Sequence, residues 1–295
     1  MTKLSKNTET PNFCKPLLSD AFLYVVLFSG GRTSAFLSKY IKKNPKYNNS
    51  IFVFMNTGKE REETLIFADK CDTEFNLNLI YLEAKINNEK GVGTTYSVVD
   101  FNSASRNGEP FEAMLKKYPL PNNKASNCTR ELKQRPIDAY LRDNYKGFKI
   151  IKVVGIRYDE QHRKSVNAEI ENTIYPLCDE FPVNSKFIRS WWSRQIFDLQ
   201  LKDYEGNCDL CFKKSLKKRL TIIRENPKIA DWWLEMEQRY SFDEVPRFDL
   251  RTNKSIEELV KLSTLPFTTA KDLHKLSENQ KELFEIETDC FCRAS

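Results

Sequence analysis

Ser29-Gly30-Gly31-Arg32-Thr33-Ser34 gathers two glycines, three hydroxyls and a guanidinium in six consecutive residues. Adjacent glycines let a backbone turn without Cβ clashes, so successive N–H groups can face one small concavity. The start of a following helix adds its own unpaired N–H groups and the positive end of its dipole. Hydroxyl donors and a planar guanidinium fork suit phosphate oxygens. The combination predicts a phosphate cradle. A second stretch, Asn56-Thr57-Gly58-Lys59-Glu60, again breaks an apolar run with a glycine. The dipole of a following helix accounts for Glu60, Glu62 and Glu63. It does not account for Asn56, Thr57 and Gly58, which suit contacts to a ribose or an adenine edge. In the third stretch, Gly155-Ile156-Arg157 is followed by Glu160 and Arg163. Arg157 and Arg163 are placed to close on phosphate or sulfate from the side opposite the glycine loop, where the plain alternative is a solvated helix start with a Glu–Arg pair.

The cysteines form a separate group. Cys208-Asp209-Leu210-Cys211 sets two thiols at a spacing that can bind one metal centre from a single turn. Cys14, Cys71 and Cys178 have no partner at such spacing and are expected in the core. Lys213, Lys214, Lys217, Lys218 and Arg219 follow the pair as a basic helical stripe, read first as a solvated face and second as a contact to an anionic ligand. Trp191, Trp192, Trp232 and Trp233 are expected to pack helices rather than stack bases. Arg106, in the rim loop, is a candidate to cover the site.

These residues need elements to hold them. Apolar runs at 22–28, 51–55, 78–82 and 149–155 read as strands, and 33–43 and 60–76 as helices between the first three. Alternation of this kind argues for a parallel sheet with right-handed crossovers, and in such sheets ligands bind outside the carboxyl ends of the strands. The first two glycine turns fall at such ends. Residues 87–124, rich in Asn, Gly and Pro, are expected to wrap the rim. Beyond residue 180 the pattern turns helical, with candidates at 188–197, 212–224 and 228–239. The expected layout is a flexible segment over 1–20, a nucleotide-binding α/β domain over 21–180, and a helical, cysteine-bearing part over 181–295 packed on it.

Composition narrows the function classes. The 295 residues are 40% hydrophobic and 30% charged, enough for a full α/β core. No run approaches eighteen apolar residues, and the polar N-terminus lacks the apolar core of a secretory signal, so the expectation is a cytoplasmic protein without a membrane span. In that compartment eight cysteines point to metal or redox roles rather than a disulfide framework. Two histidines argue against a His-based metal site or a Ser-His-Asp triad. The net charge of +6 fits an anionic ligand such as a nucleotide, with nucleic acid as an alternative.

Together the motifs resemble the adenine nucleotide α-hydrolase (PP-loop) superfamily, in its phosphoadenylyl-sulfate (PAPS) reductase-like branch. The matching residues are Ser29 to Ser34, Asn56-Thr57-Gly58-Lys59-Glu60, Cys128-Thr129-Arg130-Glu131-Leu132-Lys133 with Pro136, and Gly155-Ile156-Arg157 with Glu160 and Arg163, in order across residues 22–220. The resemblance implies a Rossmann-like α/β fold and an adenine nucleotide, ATP or an adenylyl sulfate, held by Ser29, Gly30, Gly31, Arg32, Thr33, Ser34, Asn56, Thr57, Gly58, Glu60, Gly155 and Arg157. It implies cleavage next to the α-phosphate, or reduction of the sulfonucleotide, with Arg157 and Arg163 stabilising developing charge. Cys128, Cys208, Cys211 and Cys290 or Cys292 would hold a [4Fe–4S] cluster, with Zn²⁺ as the alternative. A tail thiol, Cys290 or Cys292, would be the nucleophile where it is not a ligand. Thr33 stands where the hydrolase loop has an acidic residue, which leaves Mg²⁺ open, and the tail lacks the reductases' Glu-Cys-Gly element. A dithiol reductant or a sulfur donor is the implied partner. An ATP-dependent sulfur transferase and a nucleotide- or cluster-sensing module are the rival readings.

Overall fold

The computed structural model describes residues 22–122, 125–206, 208–240, 248 and 254–272. Cys14, Cys290 and Cys292 lie outside the described residues, and with them the roles expected of the tail thiols. In chain order the elements are β1 (Phe22–Phe28), α1 (Arg32–Lys43), β2 (Ser50–Asn56), α2 (Glu62–Phe75), β3 (Ile80–Lys85), β4 (Thr95–Val99), α3 (Glu109–Leu115), α4 (Asn127–Thr129), α5 (Arg135–Asn144), β5 (Lys149–Val154), β6 (Thr173–Ile174), α6 (Pro176–Asp179), α7 (Ser185–Trp192), α8 (Leu216–Glu225), α9 (Ile229–Arg239) and α10 (Ile256–Thr264). A π-helical turn, Arg130–Gln134, joins α4 to α5.

The strands form one sheet in the order β4-β3-β2-β1-β5-β6. All pairings are parallel except β3 with β4, so the expected parallel sheet carries one antiparallel edge. The apolar runs of β1 and β2 are unbroken because both faces of the sheet are covered. Alternate residues go to opposite faces. Leu23, Val25, Ile51, Val53 and Met55 pack with Ile137, Tyr140 and Leu141 of α5. Val26, Phe28, Phe52 and Phe54 pack with α1, α2 and α7. Cys71 is buried in that core, as expected.

A second core joins α3 to the C-terminal helices. Phe111, Met114, Leu115 and Leu132 pack there with Phe212, Ile223, Trp233 and Leu259. Packing crosses residue 180 in both directions, because Val183, Ile188, Trp192 and Leu201 belong to the sheet's core. The tryptophans are helix-packing residues: Trp192 and Trp233 are fully buried, and each stands edge-on to its chain neighbour. No described helix is long and apolar enough to cross a membrane.

Candidate functional site

The chain leaves β1 through α1 to reach β2 on one side, then returns through α5 to β5 on the other. The sheet therefore changes direction at β1, and in sheets of this kind ligands are held at such a point, here between the carboxyl ends of β1 and β5. Residues 29–34 sit there. Gly30 has a left-handed backbone (φ +77°), and a Cβ on it would overlap Thr64 Cγ2 and lie 3.3 Å from Phe54 Cε2. That glycine is demanded by the turn and by α2. Gly31 is different. Its backbone is extended (φ −103°, ψ 161°), and a Cβ there would meet only Ser29 Oγ, at 3.7 Å. Ser34 closes the loop internally, accepting from Ser29 N and Ser29 Oγ at 3.1 and 3.0 Å and donating to Gly31 O at 2.9 Å. The first turn of α1 has no side-chain cap and no acidic residue, an arrangement that suits an anion.

Arg32 departs from the expected phosphate fork. Its Nε and Nη2 donate to Asp198 at 2.7 and 3.0 Å, and Nη2 also reaches Leu199 O. Trp192 Nε1 donates back to Arg32 O at 2.9 Å. The guanidinium fastens the loop to the segment after α7 because a carboxylate and two carbonyls out-compete solvent for it.

Gly155 and Arg157 do reach the loop. A Cβ on Gly155 would lie 3.3 Å from Ser34 Cα, so the missing side chain lets β5 close on α1. Arg157 Nη1 donates to Thr33 Oγ1 at 3.2 Å, while Nε and Nη2 bond Asp159 at 2.9 and 3.3 Å. Arg163 Nη1 lies 2.6 Å from Glu160 Oε1.

The turn after β2 is packed shut instead. Asn56 is fully buried; its Nδ2 donates to Glu83 Oε1 (2.6 Å) and Ser105 O (2.8 Å), and its Oδ1 accepts from Gly58 N (3.1 Å). The expected ribose or adenine contact is replaced by these internal bonds. Gly58 is left-handed (φ +77°), and a Cβ there would come within 2.9 Å of Pro110 Cδ and 3.1 Å of Gly108 Cα. Glu60 accepts from Thr57 N and Oγ1 at 2.8 Å each. Arg106, the candidate cover, is held by Glu62 at 2.7 Å and by the carbonyls of Ala104 and Phe101.

The cysteine turn docks on this second edge. Thr57 Oγ1 lies 3.4 Å from Cys208 Sγ, and Asp209 N donates to Lys59 O at 3.1 Å. Lys59 Nζ pairs with Asp209 at 3.3 Å and stands 4.5 Å from the Trp232 ring, while Trp233 Nε1 donates to Asp209 at 2.6 Å. Lys214, read as part of a solvated stripe, is buried and donates to Cys208 O at 2.8 Å. Arg219 is buried as well. Lys213, Lys217 and Lys218 stay half-buried, and Lys214 precedes α8 rather than lying on it.

Cys128 and Lys133, on α4 and the π-helical turn, face the same place. Burial pushes the Cys208 and Cys128 thiols up, with Glu60 adding to Cys208 and Cys211 to both. Burial alone would lower Lys133, yet the negative charges of nearby groups, Glu60 among them, leave it raised. Among the described residues no three His, Cys, Asp or Glu side chains are gathered so as to hold a metal ion. Cys178 is buried as expected, though on the short α6 rather than a strand end; burial pushes its thiol up to about 11. Lys59 and Asp209 lay inside quoted motifs but were given no role, and Asp198 carried no local signal.

The model of the phosphoadenosine phosphosulfate reductase domain matches residues 23–213. The uncharacterized nin region protein ORF290 of Escherichia phage lambda is 33% identical over 198 residues, 66% of this chain and 67% of its own length. An uncharacterized protein of Methanocaldococcus jannaschii, MJ0066, is 22% identical over 229 residues, 74% of this chain and 42% of that protein.

Proposed function

The chain belongs to the phosphoadenosine phosphosulfate reductase domain family, and from that premise we propose that it binds an adenine nucleotide between the carboxyl ends of β1 and β5 for sulfur reduction or transfer. The observation that carries this reading is the meeting of Arg157 with Thr33, Nη1 to Oγ1 at 3.2 Å. It brings a guanidinium from one strand end to the uncapped helix start that follows the other. Gly31, unhindered on its Cβ side, lies between Ser29 and that helix start. Phosphate oxygens would accept from the N–H groups at the start of α1, from Ser29 and from Arg157. Arg157 and Arg163 would stabilise charge that develops during P–O or S–O cleavage, where preorganised donors gain most. Asn56, Thr57, Gly58 and Glu60 serve in this reading as the frame that seats the cysteine turn. Arg32 and Ser34 hold the loop's shape.

The sulfur chemistry is assigned to the thiols. Cys208 lies at the edge of β2, the neighbour of the loop-bearing strand. Cys128, Cys208 and Cys211 would be the described ligands of a [4Fe–4S] cluster or Zn²⁺, although no three His, Cys, Asp or Glu side chains are gathered so as to hold a metal ion among the described residues. The test is titration with adenosine 5′-phosphosulfate and with ATP, with and without Mg²⁺, followed by product analysis. Sulfite release in the presence of a dithiol identifies the reductase; pyrophosphate release identifies the transferase. Binding without either product leaves a nucleotide-sensing module, and no binding of either nucleotide overturns the reading.

A further inference from the structure

Arg157, Glu160 and Arg163 are spaced i, i+3, i+6, and the segment Tyr158–Arg163 is a 3₁₀ helix. At three residues per turn, side chains at i and i+3 eclipse, so this spacing lines one edge. Glu160 is the bend in that helix, with φ −114° and ψ 17°. Its two carboxylate oxygens are divided between the arginines: Oε2 lies 3.2 Å from Arg157 Nη1, and Oε1 lies 2.6 Å from Arg163 Nη1. Arg157 Nη1 continues the chain to Thr33 Oγ1 on the glycine loop. Asp159 bonds Arg157, and it also accepts from Ser185 N at 3.2 Å, which ties that end to α7.

We propose that Glu160 is the positioning residue of this site, fixing both guanidiniums against the loop so that a ligand's phosphate or sulfate meets them already oriented. The inference rests on the nucleotide reading above. Its sign is what makes it decisive. Two arginines face two carboxylates here, so removing the Glu160 charge would, by Coulomb's law alone, strengthen the binding of an anion. Loss of a fixed geometry acts the other way, because each unheld guanidinium must be ordered by the ligand.

The experiment is calorimetric titration of the full chain and of Glu160→Gln with AMP, ATP, adenosine 5′-phosphosulfate and adenosine. The expected result is a loss of about five- to tenfold in affinity for the three charged ligands, with adenosine unchanged. In an Arg157→Gln, Arg163→Gln background the same change should cost less than about twofold. Tighter anion binding would show Glu160 to be an electrostatic brake and overturn the proposal. So would unchanged affinities, or an equal loss for adenosine, which marks a general structural role. If the unaltered chain binds none of the charged ligands, the nucleotide reading falls first and the inference with it.

Discussion

β1 and β2 end in the same local device, a glycine at φ +77° followed by a helix, yet the two turns have opposite fates. After β1, Gly31 has open space beside its α-carbon, Ser29 is exposed, and α1 begins without an acidic residue. After β2, Asn56 and Thr57 are buried and satisfied, Gly108 and Pro110 press on Gly58, and α2 begins with Glu62 and Glu63. One helix start carries no negative charge of its own, whereas the other does. A strand–glycine–helix turn is therefore no site by itself. What is packed over it decides.

Substitution can break this contrast at either end. The largest effect is expected at the closed turn. Gly58→Val would force a left-handed backbone and overlap Pro110 and Gly108, with a loss of about 3–5 kcal/mol in denaturant unfolding. A stability within experimental error of the parent would mean the turn is not the junction described. Lys59→Met should follow at about 3 kcal/mol, since it leaves the nearly buried Asp209 carboxylate without its cation. Adding Asp209→Asn should recover part of that loss, and further loss would argue against the ion pair.

The open turn should respond in the other currency. Gly31→Val is expected to leave the melting temperature unchanged and to weaken nucleotide binding about tenfold or more, about 1.4 kcal/mol at the lower bound. Unchanged affinity would remove that side of the loop from the site. The smallest effect concerns acid. Glu112 of α3 accepts from Tyr240 at 2.6 Å, and that bond, with Lys116 and Arg239, holds its carboxyl below the usual range. Such a group stabilises the fold above the ordinary glutamate pKa and loses that contribution as pH falls through its lower native value. The contribution should be less than about 1 kcal/mol, because its partners are largely exposed. Stability curves of the parent and Glu112→Gln should converge once the pH has fallen below that lowered native value.

The legible parts of the fold were those in which each residue's own neighbours determine its state. Four strands and the first two helices could be read because their apolar periods are unbroken. β4, α3 and α10 could not: β4 is a half-exposed edge in a stretch rich in loop residues, and α3 spans only 7 residues. At the site, the glycine loop and the arginine motif could be read from the sequence as candidates. The bond from Arg32 to Asp198 could not, because the two lie 166 residues apart. Lys214 was misassigned for a related reason, since a basic stripe carries no sign of the carbonyls it will meet.

By itself the sequence determined the turns, the strand periods, the mostly parallel sheet and the family. These rest on local backbone sterics and on burial patterns that need only near neighbours. Only the tertiary structure decided which polar groups remain available. Asp198 takes Arg32, Glu83 takes Asn56, and Thr57 meets Cys208. The reason is competition: a buried donor or acceptor binds whichever partner the fold brings to it, and the partners here come from distant parts of the chain.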